Sequence, residues 1–206
     1  MAAVQTTRKQ SPRNATAEAL LDAAERLLIE VGHGGISTRR LAEEAGANQG
    51  LVHYYFGSMD ELFVQVLERF TERLVARQRE MYGAEAPFIE KWRTAWALQD
   101  EDLRAGYSKI WMELQALSWS HPDLRPRVAR VNAEWRGVLR EAFERAAREY
   151  GLDQEQFPIE ALVAMTMTFG QGYAIERLEG IDEGHDQLLG WIERWLERLE
   201  ARGDGG

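Results

Sequence analysis

Arg39 and Gln49 carry the side-chain types that read the edges of bases. An arginine presents a planar fork of N–H donors that matches guanine O6 and N7, and a glutamine amide matches adenine N6 and N7. Gly50 follows directly, where the missing side chain lets a backbone come close to a base, and Leu51 can touch a thymine methyl. Around them Thr38, His53, Tyr55 and Ser58 are hydroxyl and imidazole groups suited to phosphate oxygens. Upstream, Arg8, Lys9 and Arg13 form a basic arm within reach of a nucleic-acid backbone or minor groove.

Such chemistry needs short elements to hold it. Ser37 is a good N-cap for a helix over Thr38 to Ala45, with Leu41 and Ala42 facing inward. Gly46 suits the left-handed position that ends it, and Asn48 can cap a second short helix from Gln49 to Tyr55. There Val52 is expected to be buried and Tyr54 to pack inward. Ser58 and Glu61 read as a capping box opening a long helix, whose face Phe63, Val66, Phe70 and Leu74 hold to about Tyr82. Two short helices joined by a glycine turn form a helix-turn-helix, whose second helix enters the major groove. Ahead of it, Ser11-Pro12 or Asn14 opens a helix carrying Leu20, Ala24, Leu27, Leu28 and Val31 until Gly32. Helix pairs of this kind also occur in helical proteins that bind no DNA, so spacing alone leaves a purely structural role open.

Proline and glycine punctuate the rest into helices, and no period-2 strand pattern occurs. Breaks are expected at Gly83 to Pro87, between Asp100 and Glu101, at His121-Pro122, at Gly151 to Pro158 and near Gly180, with a last helix from Asp182 to about Arg202. The predicted fold is all-α with about nine helices. It divides into residues 1–57, a helix-turn-helix domain with its arm, and residues 58–206, a helical body. The tail from Gly203 to Gly206 is expected to lack structure.

The net charge of −9 disfavours phosphate as a general partner. Residues 1–57 hold six basic and six acidic side chains, so the whole excess lies in 58–206. Any nucleic-acid contact is therefore expected to be confined to the first segment. Cysteine is absent, which excludes disulfides and thiol chemistry. His33, His53, His121 and His185 are scattered without metal-ligand spacing. No phosphate loop or nucleophile elbow occurs, and Gly170-Gln171-Gly172 starts a dinucleotide motif with no strand before it. These features predict neither an enzyme, nor a cofactor, nor a metal. There is no apolar run of eighteen residues and no secretory h-region, so the expected location is cytoplasmic.

The stretch Ser37 to Phe63 resembles the DNA-binding domain of the tetracycline-repressor (TetR) family. The resemblance lies in the Gly32-His33-Gly34-Gly35 end of the first helix, Ile36-Ser37-Thr38, Leu41-Ala42, Ala45-Gly46, Tyr54-Tyr55-Phe56 and Asp60-Glu61-Leu62-Phe63. The chain departs from the family pattern at Leu51, at His53 and at Met59, where the family often has a phosphate-binding lysine. The resemblance implies a ligand-responsive transcriptional repressor, a homodimer that binds a palindromic operator in double-stranded DNA. Its last two helices would pair with their symmetry mates. Leu188, Ile192, Trp195 and Leu199 form one face of the last, widened by Leu189, Trp191 and Leu196. The helix before carries Leu162, Met165, Phe169, Tyr173 and Ile175, although the same residues can be core within one chain. It also implies an effector pocket among the central helices, where Phe88, Trp92, Trp96, Tyr107, Trp111, Trp119 and Trp135 cluster. Candidate lining residues are Trp96, Trp111, Met112, Gln115, Trp119, Met165, Phe169 and Tyr173. Glu113, Gln115, His121, Asn132 and Gln171 are candidates to orient a ligand. Such a lining suits an apolar effector, aromatic or with a long acyl chain, although the same aromatics can be plain core. The rival to a DNA-binding regulator is a dimeric helical adaptor that binds only protein.

Overall fold

A computed structural model of the chain describes residues 12–203. The basic arm residues Arg8 and Lys9, the Ser11 cap and the last three residues lie outside the described residues, as does the side chain of Arg13. Within that span the chain forms nine α-helices and one 3-10 turn, with no strand among the described residues. The helices are α1 Pro12–Val31, α2 Thr38–Glu44, α3 Gly50–Phe56, α4 Met59–Gly83, α5 Phe88–Arg104, α6 Tyr107–Ser120, α7 Arg125–Glu149, α8 Ile159–Leu178 and α9 His185–Gly203. The 3-10 turn is His33–Gly35.

The chain falls into two units, one through Leu67 and one from Glu68 onward. The division expected after residue 57 therefore moves ten residues into α4. The reason is local: Leu62, Phe63, Val64, Val66 and Leu67 are all buried, so the opening turns of α4 are core and not a linker.

In the first unit, Leu20, Ala24, Leu27 and Leu28 are fully buried at helical spacing on α1, and α2 packs against both α1 and α3. The caps set the boundaries. Ser37 Oγ accepts from Arg40 N at 3.1 Å, and Gly46 takes φ +63° where α2 turns toward α3. Asn48 Oδ1 accepts from Gly50 N at 2.8 Å, and Ser58 Oγ accepts from Glu61 N at 3.1 Å. The Glu61 carboxylate takes a bond from Gln65 Nε2. Replacing Ser37 by alanine removes the acceptor for Arg40 N, and a cost of about 1 kcal/mol is expected. A shift of the denaturation midpoint at unchanged m-value would register it; an unchanged midpoint would mean that water substitutes fully at this exposed cap.

The second unit is helices packed on helices. α7 lies along α8, α5 packs against α6, α8 and α9, and α6 contacts α7 and α8. Its core joins Val75 and Tyr82 of α4 to Phe88, Ile89, Val138, Leu139, Val163 and Leu196. Ile192, Trp195 and Leu199 of α9 pack on that core. One expected break is displaced: α5 runs past Asp100 to Arg104. It stops because Gly106 adopts φ +83°, which a residue with a Cβ rarely tolerates.

Candidate functional site

The α2–α3 pair sorts its residues by burial. Leu41, Ala42, Val52 and Phe56 are buried, whereas Arg39, Gln49, Gly50, His53 and Ser58 are exposed and Thr38, Leu51 and Tyr55 are half-buried. All eight sequence-predicted contact positions thus keep some surface. Tyr54 corrects the expectation that it packs inward, since it is 61% exposed. The reason is helical phase: α3 is seven residues long, and its inward side is taken by Val52 and Phe56, four apart. Tyr54 instead stands edge-on to Tyr55 with ring centroids 5.0 Å apart.

Two exposed groups are held by neighbours. Arg39 Nε donates to Glu43 Oε1 at 2.8 Å one turn along α2. That bond holds its guanidinium above even the usual arginine range, so the charge is permanent. His53 Nδ1 lies 3.0 Å from the Gly57 carbonyl oxygen, so Nδ1 carries the proton and donates. A neutral His53 ring then presents only an Nε2 lone pair, and donation to a phosphate needs the imidazolium. Gly50 is not demanded by the fold: a Cβ there would meet only Asn48 Oδ1, at 3.4 Å.

The second unit holds a cavity of about 170 Å³ that is partly open to solvent. Phe70, Tyr82, Trp92, Trp96, Tyr107, Trp111 and Trp135 give it aromatic walls, and Met112, Leu139 and Met167 add aliphatic ones. Gln78, Gln99, Asp102, Ser108, Thr166 and Gln171 supply polar groups. Burial pushes the Tyr82 phenol up to about 12, so it remains a neutral donor. Asp102 is the one residue of the lining that bears a formal charge. Its Oδ2 accepts from Arg77 Nη2 at 2.6 Å, while Oδ1 is buried without a hydrogen-bond partner. Burial raises the Asp102 carboxyl above its ordinary range, and Arg77 opposes that only in part.

Of the eight candidate effector contacts, Trp96, Trp111 and Met112 line this cavity and five do not. Trp119 is 70% exposed at the end of α6, and Met165 is 60% exposed. The phase of α8 explains Met165, because Thr166, Met167, Gly170, Gln171 and Ala174 form the stripe that faces the cavity. Phe169 and Tyr173 lie beside that stripe and border a separate hollow with His185 and Leu188. Tyr173 Oη donates to Asp100 Oδ1 at 2.6 Å, which orders the ring at the α5–α8 junction. Gln115 is half-buried away from the cavity, as are Glu113, His121 and Asn132; only Gln171 of the orienting candidates lines it. The sequence reading missed Asp102, whose partner lies twenty-five residues away on α4. In the sequence Asp102 is one of three acidic residues in a row, Asp100-Glu101-Asp102, and nothing in that run singles it out.

The comparisons agree with this geometry. Residues 20–66, which span the buried face of α1 through the start of α4, match the family model of bacterial regulatory proteins, tetR family. An uncharacterized HTH-type transcriptional regulator of Haemophilus influenzae is 31% identical over 39% of this chain and 43% of its own length. The HTH-type transcriptional regulator BetI 1 of Chromohalobacter salexigens is 30% identical over 56% of this chain and 58% of its own. The chain thus spans about half the length of these curated relatives. Among solved structures, the regulator FadR from Bacillus subtilis, in complex with stearoyl-CoA, superposes with a TM-score of 0.67 at 17% identity, covering 88% of this chain and 96% of that one. That likeness is one of fold, whereas the match over residues 20–66 is one of sequence, and it falls on the helices that carry the exposed α2–α3 edge. Residues 20–66 of the chain are thus similar to the tetR family of bacterial regulatory proteins.

Proposed function

We propose that the chain is a dimeric transcriptional repressor whose two α3 helices read a palindromic operator and which a small hydrophobic effector releases. The observation that carries the reading is the sorting of the α2–α3 pair. Leu41, Ala42, Val52 and Phe56 are buried, and the exposed edge offers Arg39, Gln49 and a side-chain-free Gly50 within residues 1–57, which carry none of the chain's acidic excess. Because the fold itself does not need glycine at position 50, room for an outside surface is the better reason for it. Thr38, Tyr55 and Ser58 then serve phosphates, with Tyr54 added to the set and His53 contributing when protonated.

The dimer reading is supported by apolar surface on the last two helices. On α8, Met165, Thr168, Gly172 and Ile175 are exposed at alternating spacings of three and four, and on α9 Leu188 and Trp191 are exposed three apart. Monomeric proteins seldom leave such a patch uncovered. The effector reading is supported by the cavity, and α4 runs continuously from the first unit to the cavity wall at Phe70 and Tyr82. An effector that binds differently in two α4 positions can bias operator affinity through it.

Selection of binding sites from random duplex DNA, followed by anisotropy titration across salt, tests the reading. A recovered palindrome with steep salt dependence is the expected result, and binding no tighter than non-specific would favour a protein-binding adaptor. Met59 stands at the start of α4 where a lysine would add one phosphate contact. The substitution Met59→Lys is therefore expected to steepen the slope of log affinity against log salt by about one unit. An unchanged slope would place Met59 away from the DNA backbone.

A further inference from the structure

We propose that the cavity takes a small organic cation, its ammonium on Asp102 Oδ1 and its apolar body among Trp92, Trp96, Trp111 and Trp135. This inference rests on the effector reading and specifies its chemistry.

The unpartnered carboxylate oxygen is the first reason. Asp102 is 7% exposed and its Oδ1 has no donor, whereas buried polar atoms in folded proteins nearly always have one. Arg77 satisfies only Oδ2 and is not among the lining residues, so a ligand meets the carboxylate and not the guanidinium. The second reason is the wall. Four tryptophans offer π faces, and a cation over an indole is attracted by the ring quadrupole, most strongly when water is excluded. The third is what the lining lacks: it contains no Lys, Arg or His. A carboxylate or phosphate placed there would find no counter-charge and would face Asp102.

Size narrows the class. At about 170 Å³ the cavity is close to the roughly 150 Å³ cavities that accept benzene, so the buried body has on the order of ten non-hydrogen atoms. That favours a single-ring amine over the long acyl chain that the aromatic composition also allowed.

Tryptophan fluorescence and calorimetric titration with 2-phenylethylammonium, 2-phenylethanol and phenylacetate form the test, because the three share one ring and differ in the charge of the head. The ammonium is expected to bind about tenfold or more tighter than the alcohol, with phenylacetate weakest. Asp102→Asn is expected to abolish that preference and, by leaving Arg77 uncompensated, to raise the rank of phenylacetate. Melting by circular dichroism shows whether the variant is folded, and the ranking on the unmodified chain decides the matter even if it is not. If the alcohol or phenylacetate binds as tightly as the ammonium, the cation assignment is overturned and the effector cavity stands. If none of the three produces a response, the effector reading falls together with the inference.

Discussion

Met165→Glu combined with Trp191→Glu is expected to convert the dimer into single chains and to lower operator affinity by about 10²–10⁴-fold. Both side chains are 60% exposed in the single chain, so neither is part of its buried core. Surface changes of this kind usually alter the stability of a chain by about 0.5 kcal/mol or less, and each chain should melt nearly as before. In a dimer the same positions would be buried. Gly172 lies between Thr168 and Ile175 on the exposed face of α8, and a Cβ there would meet nothing within 4 Å, which leaves room for close approach of a second helix. Four carboxylates, two from each chain, would then be forced into an apolar seam without partners, at a cost of several kcal/mol. Loss of the dimer unlinks two weak half-site contacts, and that linkage supplies the stated factor through effective concentration. Sedimentation and anisotropy measured on one sample check both halves. A variant that remains a dimer with full operator affinity would move the interface elsewhere. A single chain that binds as tightly as before would remove the need for two heads.

What could be read from the sequence was local. Ser37, Asn48 and Ser58 were legible as caps because a side-chain oxygen bonds a backbone N–H only two or three residues away, and all three do so. Gly46 was legible because its left-handed conformation depends on its own backbone. Leu41, Ala42 and Val52 followed from helical spacing. Failures came where local pattern and tertiary placement part. Tyr54 looked like core by type, yet α3 is too short to bury more than its Val52–Phe56 side. Trp119 and Met165 looked like pocket by type, yet the phase of each helix turns them outward. Asp102 was invisible as a site because its burial depends on α4 and α6 closing around α5, and no spacing within α5 encodes that. The end of α5 was recoverable, since Gly106 follows Arg104 in the pattern of a helix C-terminus.

The double substitution Arg39→Ala with Gln49→Ala is expected to remove specific operator binding while leaving a folded dimer. Each side chain is exposed, and the Arg39–Glu43 pair sits on the surface, where such pairs contribute little to stability. Little is therefore lost from the fold. At the operator each bidentate base contact discriminates by about 1–3 kcal/mol, so the pair accounts for roughly 2–6 kcal/mol per half-site. Such a loss spans much of the interval that separates specific from non-specific binding. The two residues should also be separable. Arg39→Lys keeps a positive charge but loses the planar fork, so it should retain non-specific affinity at low salt while losing preference at one position of the site. Gln49→Ala removes no charge, so it should relax one base position without altering the salt slope. If instead both single variants weaken binding to all sequences equally, these side chains serve phosphates, and sequence must be read by Leu51, Tyr54 and the Gly50 backbone. The rest of the chain sharpens that distinction: residues 58–206 carry the full net charge of −9, which disfavours phosphate contacts outside the first segment.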